Sequence, residues 1–539
     1  MTPSPTSGPT APPPDQIRFM TPTELRRRWR ANDEVALLDV REEGPYSLSH
    51  PFFAVSLPLS QIELRILDLI PRRTAPVVVY DGGEGYAERA VPRIRALGYG
   101  DVSVLGGGLS GYARVGEVFR DVNVPSKAFG ELVEAIRHTP SLSADEVKAL
   151  IERESNLVVL DARRFEEYRT MSIPRGVSVP GGELAFRARE LAPSPDTTII
   201  VNCAGRTRSI IGTQSLINAG LPNKIYALRN GTIGWTLAGH QVERGRTARV
   251  LERPQASYAN ALADAKLWAE RVGVAVLDAA TFARHQAEAG TRTLYCLDVR
   301  TPEEYAAGHP AGFASAPGGQ LVQATDEWVG VRGARLVLFD DDGVRARMTA
   351  SWLKQMGWDA AIIGPDVVAP TETTIRRPRR PDLPDLGGAT IGVAQLAADP
   401  TAWTIVDLAR SPSYTAGHIP GAHFVLASRF SSDLSGLPNA GPIVLTSNDG
   451  AEAAFALTDA RRATRRELRV LIGGTRAWTD AGQALETARH AWISTPDDVY
   501  KRPYEGTDNA AEAMQAYIDW ELQLVAQLAN DSVSNFHVV

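Results

Sequence analysis

Val158-Val159-Leu160-Asp161-Ala162-Arg163 is an apolar run that ends in an aspartate and an arginine. The apolar run that ends in an aspartate occurs three more times, at residues 36–41, 294–300 and 404–409, and the first two of these also have the arginine. Seven residues after each aspartate stands a tyrosine: Tyr46, Tyr168, Tyr305 and Tyr414. Because chance rarely places several residue types at fixed offsets four times, the chain is interpreted as four copies of one unit.

Each copy carries a second apolar run, at residues 76–80, 198–202, 336–339 and 443–446. A helical stretch follows each run, and three copies add another short strand at 102–104, 224–226 and 361–363. Runs that are apolar on both faces are typical of central strands in parallel sheets. Alternating strands and helices therefore predict an α/β fold, in which each unit has a mostly parallel sheet flanked by helices.

Length and composition agree with a multidomain globular protein. The chain has 539 residues, of which 44% are hydrophobic and 22% charged, and its formal net charge is −6. The net charge argues against a protein that coats nucleic acid, and no run approaches the ~18 apolar residues of a membrane span. With only Cys203 and Cys296, a disulfide scaffold and a cysteine-rich zinc site are excluded. We expect a cytoplasmic protein without metal or cofactor, and with no nucleic-acid or membrane partner.

The repeats and the intervening composition divide the chain. We predict a disordered leader (1–15), domains at 16–125, 130–250, 272–370 and 385–485, a closing helix and connector (251–271), a linker (371–384) and a C-terminal helical extension (486–539). Amphipathic stretches at 258–268 and 514–528 are each expected to close the core of their own half of the chain and not to bind a partner.

The residue that follows the second strand of each copy is the candidate functional position. Ligands in such folds collect at the carboxyl ends of the strands. The four occupants are Asp81, Cys203, Asp340 and Ser447, although the fourth copy could slip by one residue to Thr446. Only the second copy therefore places a nucleophilic sulfur there.

The segment after Cys203 is suited to stabilise a thiolate. Backbone amides in a turn can form an anion-binding concavity, the next helix begins with its positive end nearby, and Arg206 and Arg208 add charge. These effects lower the pKa of a thiol and favour the reactive form, so we predict that Cys203 is an ionised nucleophile. Cys296 lies inside an apolar strand and is predicted to be a packing residue.

Taken together, these motifs resemble four tandem rhodanese domains. The resemblance rests on the Asp-x-Arg strand end, on the elements Tyr305–Pro310 and Tyr414–Pro420, and on a single-cysteine loop before a helix. It implies a sulfurtransferase in which Cys203 becomes a persulfide. The implied substrate-binding loop comprises Ala204, Gly205, Arg206, Thr207, Arg208 and Ser209, with the two arginines expected to bind the sulfonate of thiosulfate.

The loop also departs from well-known relatives. Thiosulfate-using members often have arginine directly after the cysteine, whereas here Ala204 follows, so the donor could be thiosulfate, mercaptopyruvate or another persulfide. Related phosphatases place arginine six residues after the cysteine, where this chain has Ser209, which disfavours a phosphatase or arsenate-reductase-like enzyme. The three copies without a thiol resemble inactive domains.

The predicted reaction is a double displacement through the Cys203 persulfide, with cyanide or a thiol as acceptor. Asp161 and Arg163 are expected to support the turn as a pair, and Trp235 to pack under the loop. His50, His309 and His418 occur only in copies without a thiol and are expected to stabilise turns. The alternative is a non-catalytic scaffold or persulfide carrier that docks a sulfur-accepting protein.

Overall fold

A computed structural model describes residues 17–438 and 441–539. Four parallel sheets follow one another along the chain, which confirms the predicted α/β class. The predicted leader, residues 1–15, lies outside the described residues. Within the described ranges, no helix is both long and apolar enough to cross a bilayer.

The first domain has a five-stranded sheet in the order β1-β6-β5-β2-β4 and a small antiparallel pair, β3 and β7. Its strands are β1 (Arg18–Met20), β2 (Ala36–Asp39), β3 (His50–Pro51), β4 (Ala54–Ser56), β5 (Val77–Tyr80), β6 (Val102–Leu105) and β7 (Val118–Phe119). Its helices are α1 (Pro22–Ala31), α2 (Glu43–Leu48), α3 (Ile62–Leu69), α4 (Tyr86–Ala96), α5 (Gly108–Tyr112) and α6 (Val124–Arg137).

The second domain repeats this arrangement with the sheet order β10-β9-β11-β12-β8. Its strands are β8 (Ser141–Leu142), β9 (Leu157–Asp161), β10 (Gly176–Ser178), β11 (Thr198–Asn202) and β12 (Ile225–Leu228). Its helices are α7 (Ala144–Arg153), α8 (Phe165–Thr170), α9 (Leu184–Leu191), α10 (Thr207–Asn218) and α11 (Gly231–Leu237), and the long helix α12 (Tyr258–Val272) follows.

The third domain has the sheet order β13-β17-β16-β14-β15. Its strands are β13 (Ala275–Val276), β14 (Leu294–Asp298), β15 (Ala314–Ser315), β16 (Arg335–Phe339) and β17 (Asp359–Ile363). Its helices are α13 (Ala279–Ala287), α14 (Pro302–Ala307), α15 (Gly318–Gln323) and α16 (Arg345–Gln355).

The fourth domain has six strands in the order β18-β22-β21-β19-β20-β23. They are β18 (Thr390–Ile391), β19 (Thr404–Asp407), β20 (His423–Phe424), β21 (Ile443–Thr446), β22 (Leu468–Leu471) and β23 (Ala491–Trp492). The helices are α17 (Val393–Ala398), α18 (Ser411–Ala416), α19 (Phe430–Asp433), α20 (Ala451–Ala463) and α21 (Gly474–Asp480), followed by α22 (Ala511–Glu521) and α23 (Leu524–Asp531).

The repeated tyrosine has one structural task in all four domains. Its buried hydroxyl donates a hydrogen bond to the backbone carbonyl eight residues later, which fixes the turn between a helix and the next strand. The four pairs are Tyr46–Ala54 (2.9 Å), Tyr168–Gly176 (2.7 Å), Tyr305–Phe313 (2.9 Å) and Tyr414–Ala422 (2.8 Å). The three repeated histidines stack on these rings, at His50, His309 and His418.

The structure corrects two predicted boundaries. Helix α6 runs through the predicted gap between the first and second domains, because its apolar face packs on both α10 and α23. The strand β23 lies beyond residue 485 and pairs with β20, so the segment after that residue first completes the fourth sheet and becomes helical only later.

The two amphipathic stretches do not pack within their own halves as expected. Helix α12 packs against α9 and α16, and thus joins the second and third domains. The predicted single helix over 514–528 ends at Glu521 and restarts at Leu524, so Leu522 is exposed and Leu524 is buried instead. Its apolar residues share a hydrophobic cluster with Trp29 of the first domain and Ala204 of the second.

Candidate active site

The first loop position after the second strand has the same backbone setting in all four domains. In three domains, the amide six residues further on donates to the side chain at this position: Ala87 to Asp81 (2.9 Å), Ala346 to Asp340 (2.8 Å) and Ala453 to Ser447 (3.4 Å). In the second domain, the equivalent amide of Ser209 interacts with the Cys203 sulfur. This shared contact identifies Ser447, and not Thr446, as the equivalent residue in the fourth domain.

The first turn of helix α11 donates backbone hydrogen bonds to the carbonyls of the cysteine loop. The Thr232 amide donates to the Cys203 carbonyl at 2.8 Å, and the Ile233 amide donates to the Ala204 carbonyl at 2.9 Å. Gly231 precedes them with φ +52°, and a Cβ there would lie 2.4 Å from the Cys203 carbonyl oxygen. Only glycine fits this position, because the backbone is left-handed and the loop approaches it closely.

The Cys203 thiol is buried, with 1% of the residue exposed. Its Sγ lies 3.4 Å from the Ser209 Oγ, whose own hydroxyl donates to the Arg206 carbonyl at 2.9 Å. The thiol is therefore the donor in the first of these bonds. Burial raises the pKa of the Cys203 thiol above its ordinary value, although Arg208 and Ser209 act to lower it. The expectation of a depressed pKa is wrong for this conformation, because desolvation outweighs the favourable charges.

Arg206 does not point toward the thiol as an anion ligand. Its guanidinium makes a bidentate pair with Glu131, with Nε and Nη2 at 2.7 and 2.8 Å from the carboxylate oxygens. It also contacts Glu134, and its Nη1 donates to the Asn230 Oδ1 at 3.0 Å. The arginine thus joins the loop to α6, and these partners occupy all three guanidinium nitrogens.

Arg208 is also paired, but it stays electrostatically close to the sulfur. Its Nη1 and Nη2 donate to the two Glu167 carboxylate oxygens at 2.8 and 2.9 Å. This arginine holds the pKa of Glu167 well below its usual range and is the main charge that acts to lower the pKa of Cys203. Sequence reasoning missed Glu167, although the third domain repeats the pair as Glu304 and Arg345 at the same offsets.

The predicted supporting pair is buried beneath the loop. Arg163 donates through Nε and Nη2 to the Asp161 carboxylate at 2.9 and 2.8 Å, and through Nη2 to the Met171 carbonyl at 2.7 Å. The Asn202 side chain donates to the same carboxylate at 2.8 Å, directly before Cys203. Asp39–Arg41 and Asp298–Arg300 form the same pair in domains without a thiol, which assigns it to the frame and not to the chemistry.

Trp235 lies away from the loop, contrary to the prediction. Its ring belongs to a hydrophobic cluster with Val147, Val159 and Ile200, whereas Ala204 of the loop belongs to another. Its indole nitrogen donates to the Gln241 carbonyl at 2.9 Å. Trp235 therefore packs helix α11 against the sheet and α7.

The C-terminal helix α22 covers the loop, and no repeat in the sequence pointed to it. A Cβ placed on Gly205 would lie 3.2 Å from Tyr517 Cε1 and 3.4 Å from Glu521 Oε2. The Tyr517 hydroxyl donates to Glu521 Oε1 at 2.7 Å, while Oε2 has no hydrogen-bond partner among the described residues. Burial raises the pKa of Glu521 to about 7, and its charge in turn raises the pKa of Cys203.

Comparison with known proteins is consistent with this repeated architecture. The profile of the Rhodanese-like domain family matches four segments, residues 21–114, 143–238, 278–364 and 393–481. The solved structure of thiosulfate sulfurtransferase from Pseudomonas aeruginosa superimposes with a TM-score of 0.94 and 52% identity, covering 97% of this chain and all of that one.

Two curated relatives cover smaller parts of the chain. Thiosulfate sulfurtransferase from Azotobacter vinelandii is 25% identical over 228 residues, which cover 35% of this chain and 83% of that protein. YrkF of Bacillus subtilis, named as a candidate sulfur carrier, is 31% identical over 97 residues, or 18% of this chain. The chain spans about half the length of that second relative, 51%.

Proposed function

Because the chain belongs to the rhodanese family and is a sulfurtransferase of that type, we propose that it transfers sulfane sulfur through a persulfide on Cys203. The proposed donor is thiosulfate, and the proposed acceptor is cyanide in an assay or a thiol in the cell. The similarity to two thiosulfate sulfurtransferases supports this donor. We place the reaction in the cytoplasm, because both cysteines are free thiols, as is usual in a reducing compartment.

The observation that carries the proposal is that one backbone position, equivalent in the four domains, holds a cysteine in the second domain and an oxygen-bearing side chain in the other three. The loops of the other three domains hold an oxygen of Asp81, Asp340 or Ser447 against the amide six residues later. The second domain holds the sulfur of Cys203 there. An amide that stabilises a carboxylate in two domains is suited to stabilise a thiolate or persulfide anion in the second.

The first half-reaction begins with ionisation of the thiol. Cys203 loses its proton to solvent, and the Ser209 hydroxyl can then rotate from the Arg206 carbonyl to donate to the thiolate. The thiolate attacks the outer sulfur of thiosulfate, the S–S bond of the donor breaks, and sulfite leaves with the bonding electrons. The Cys203 persulfide anion remains. Only a neutral sulfur atom has passed from donor to enzyme, since the enzyme sulfur carries one negative charge before and after the step and both thiosulfate and sulfite carry two.

The second half-reaction returns the enzyme to its starting state. Cyanide or an acceptor thiolate attacks the outer persulfide sulfur, and the Cys203 thiolate leaves. The products are thiocyanate or a new persulfide. Both half-reactions have an anionic sulfur at the same position, so the Ser209 amide and the nearby Arg208 serve both of them.

The closed loop requires a movement before a donor can enter. Cys203 is 1% exposed, and the aromatic ring of Tyr517 lies against Gly205. We infer that α22 moves away during turnover, which hydrates the thiol and removes the desolvation that now raises its pKa. Opening would also separate Glu521 from the entering anion, whereas Arg208 would remain on the loop.

A persulfide carrier is the second candidate, and the burial of Cys203 favours it. In that case a partner protein loads the sulfur and the enzyme does not react with thiosulfate by itself. The test is a thiosulfate:cyanide assay on the wild-type chain, Cys203→Ser and Cys296→Ser. The proposal requires that only Cys203→Ser lose thiocyanate formation. Wild-type protein without activity toward thiosulfate, but with a persulfide acquired from a partner, would establish the carrier.

A further inference from the structure

A large cleft lies between the first domain, the third domain and the linker that follows the third domain. Its volume is about 720 Å³, which lies within the range of small-molecule sites. The side of the first domain is formed by α3, and the side of the third domain by β14 and β15. Residues 375–379 of the linker form the remaining side.

The cleft carries more positive than negative charge. Four arginines line it, Arg65, Arg376, Arg377 and Arg379, against two carboxylates, Asp68 and Glu327. Arg376 and Arg379 share Asp68, and the Arg379 Nε lies 2.8 Å from its carboxylate. One carboxylate thus serves two guanidiniums, and the other two arginines are left without a close anionic partner.

Arg65 and Arg377 are these two arginines. Among residues 17–438 and 441–539, neither forms an ion pair within 4.0 Å, and Arg65 makes only one long hydrogen bond, 3.3 Å to the Ser56 carbonyl. Desolvation lowers the pKa of Arg65, and Glu327 and Glu43 offset this only in part. An oxyanion that binds to such a partly desolvated guanidinium is expected to stabilise its charge.

The remaining walls are apolar and aromatic. Leu64, Leu297, Tyr305 and Trp328 contribute side chains to the cleft, and the Trp328 indole nitrogen is already occupied by the Ser315 carbonyl at 2.9 Å. Cys296 also reaches the cleft, but burial raises the pKa of its thiol to about 12, so it is not a second nucleophile near neutral pH.

We propose that this cleft binds an organic oxyanion with an apolar body, whose anionic group contacts Arg65 and Arg377 and whose body lies against Trp328 and Tyr305. The site is separate from Cys203 and does not depend on the sulfurtransferase assignment. Carboxylate, sulfonate and phosphate share the chemistry that two guanidiniums recognise. The experiment therefore compares probes that share one ring and differ in the charged group.

The test measures binding of naphthoate, naphthalenesulfonate, naphthyl phosphate and neutral naphthalenemethanol to the full chain by calorimetry. At least one anion should bind about tenfold more tightly than the neutral compound, and the preferred anion identifies the natural group. Arg377→Gln should weaken that anion about threefold to tenfold, and Arg65→Gln/Arg377→Gln should weaken it further. Arg377 is exposed, so the single variant keeps the test valid if Arg65→Gln fails to fold.

The control is Arg153→Gln/Arg462→Gln, which removes the same charge at two exposed positions outside the cleft. It should bind like wild type, as should Cys203→Ser. Equal affinity for charged and neutral probes, no binding at all, or equal losses in the cleft and control variants would overturn the proposal.

Discussion

The Sγ of Cys203 donates to the Ser209 Oγ at 3.4 Å, and the Ser209 hydroxyl donates onward to the Arg206 carbonyl at 2.9 Å. This chain of two hydrogen bonds holds the sulfur as a neutral thiol. When the thiol ionises, the same hydroxyl can reverse its donation and stabilise the anion. Replacing Ser209 is therefore the most direct way to test whether this hydroxyl stabilises the thiolate form of Cys203.

Ser209→Ala should raise the pKa of the Cys203 thiol by about one unit, since a hydrogen bond to a charged group contributes about 1.5–3 kcal/mol. The measurement is the pH dependence of the rate at which iodoacetamide alkylates Cys203, in a Cys296→Ser background. Thr213→Val is the control, because that hydroxyl lies on the same helix and has no hydrogen-bond partner in the described structure. An unchanged profile for Ser209→Ala would show that the hydroxyl does not stabilise the thiolate.

Glu521→Gln should have the opposite effect on the thiol. Glu521 raises the pKa of Cys203 through its charge, so its neutral amide should lower that pKa by about 0.5–1 unit. Alkylation above pH 7, where the carboxylate is ionised, should become faster. Glu512→Gln lies on the same helix but is exposed, and it should leave the rate unchanged. Slower alkylation in Glu521→Gln would contradict the assigned electrostatics.

Gly231→Ala should damage both the fold and the activity. Its Cβ would lie 2.4 Å from the Cys203 carbonyl oxygen at φ +52°, and we expect a loss of about 2–4 kcal/mol in unfolding free energy. Gly239→Ala is the matched control, since φ is +77° there but no atom lies within 4 Å. That variant should lose only about 1 kcal/mol and keep its activity. If urea titrations gave equal losses of unfolding free energy for the two variants, the contact between the new Cβ and the Cys203 carbonyl oxygen would not be the cause.

Moving the thiol to another copy of the loop should not move the activity. In the third domain Arg345 is fully buried and is held by Glu183, Glu304 and Asp342. The residue six positions after Asp340 is Ala346, which cannot supply the hydroxyl that Ser209 supplies. Cys203→Ser/Asp340→Cys should therefore form no thiocyanate. Activity near the wild-type level would show that neither Arg345 nor the missing hydroxyl matters.

The contact between the first and fourth domains should weaken as pH rises. Glu42 is buried and accepts a hydrogen bond from the Ser428 hydroxyl at 2.7 Å, and burial raises its pKa from 4.5 to about 7. Its protonated form is favoured in the folded chain, so its contribution to stability is present below pH 4.5 and is lost as pH rises through 7.

Glu42→Gln removes this dependence, and the variant should be more stable than wild type at pH 8 by about 2 kcal/mol, with little difference at pH 4.5. Thermal or urea unfolding at both pH values measures the effect. The exposed Glu88→Gln on α4 is the control. A variant that is less stable than wild type at pH 8 would show that the ionised Glu42 carboxylate stabilises the fold there, which would contradict the assigned effect of burial.

The sequence was sufficient to predict the structural features that recur in the four copies. The aspartate at the strand end and the tyrosine seven residues later appear in all four copies. Both make local contacts: the tyrosine hydroxyl bond recurs in every domain, and the aspartate–arginine pair recurs in the first three, whereas Asp407 of the fourth accepts from the Ala409 amide. The position of Cys203 followed from the same register. The Glu167–Arg208 pair could have been predicted too, since Glu304 and Arg345 stand at the same offsets.

The sequence was not sufficient where the contacts join distant segments. Nothing in the loop shows that Glu131 neutralises Arg206, or that Tyr517 and Glu521 cover Gly205. These contacts occur once, so no repeat reveals them. The sign of the pKa shift of Cys203 could not be predicted either, because the loop charges alone favour the thiolate, whereas burial, with a smaller contribution from Glu521, favours the thiol.

Intact-protein mass spectrometry after incubation with thiosulfate alone tests the central claim most directly. Wild type and Cys296→Ser should each gain one sulfur atom, which cyanide then removes, and Cys203→Ser should gain none. A persulfide on Cys296, or no added sulfur on wild type at any thiosulfate concentration, would contradict the account.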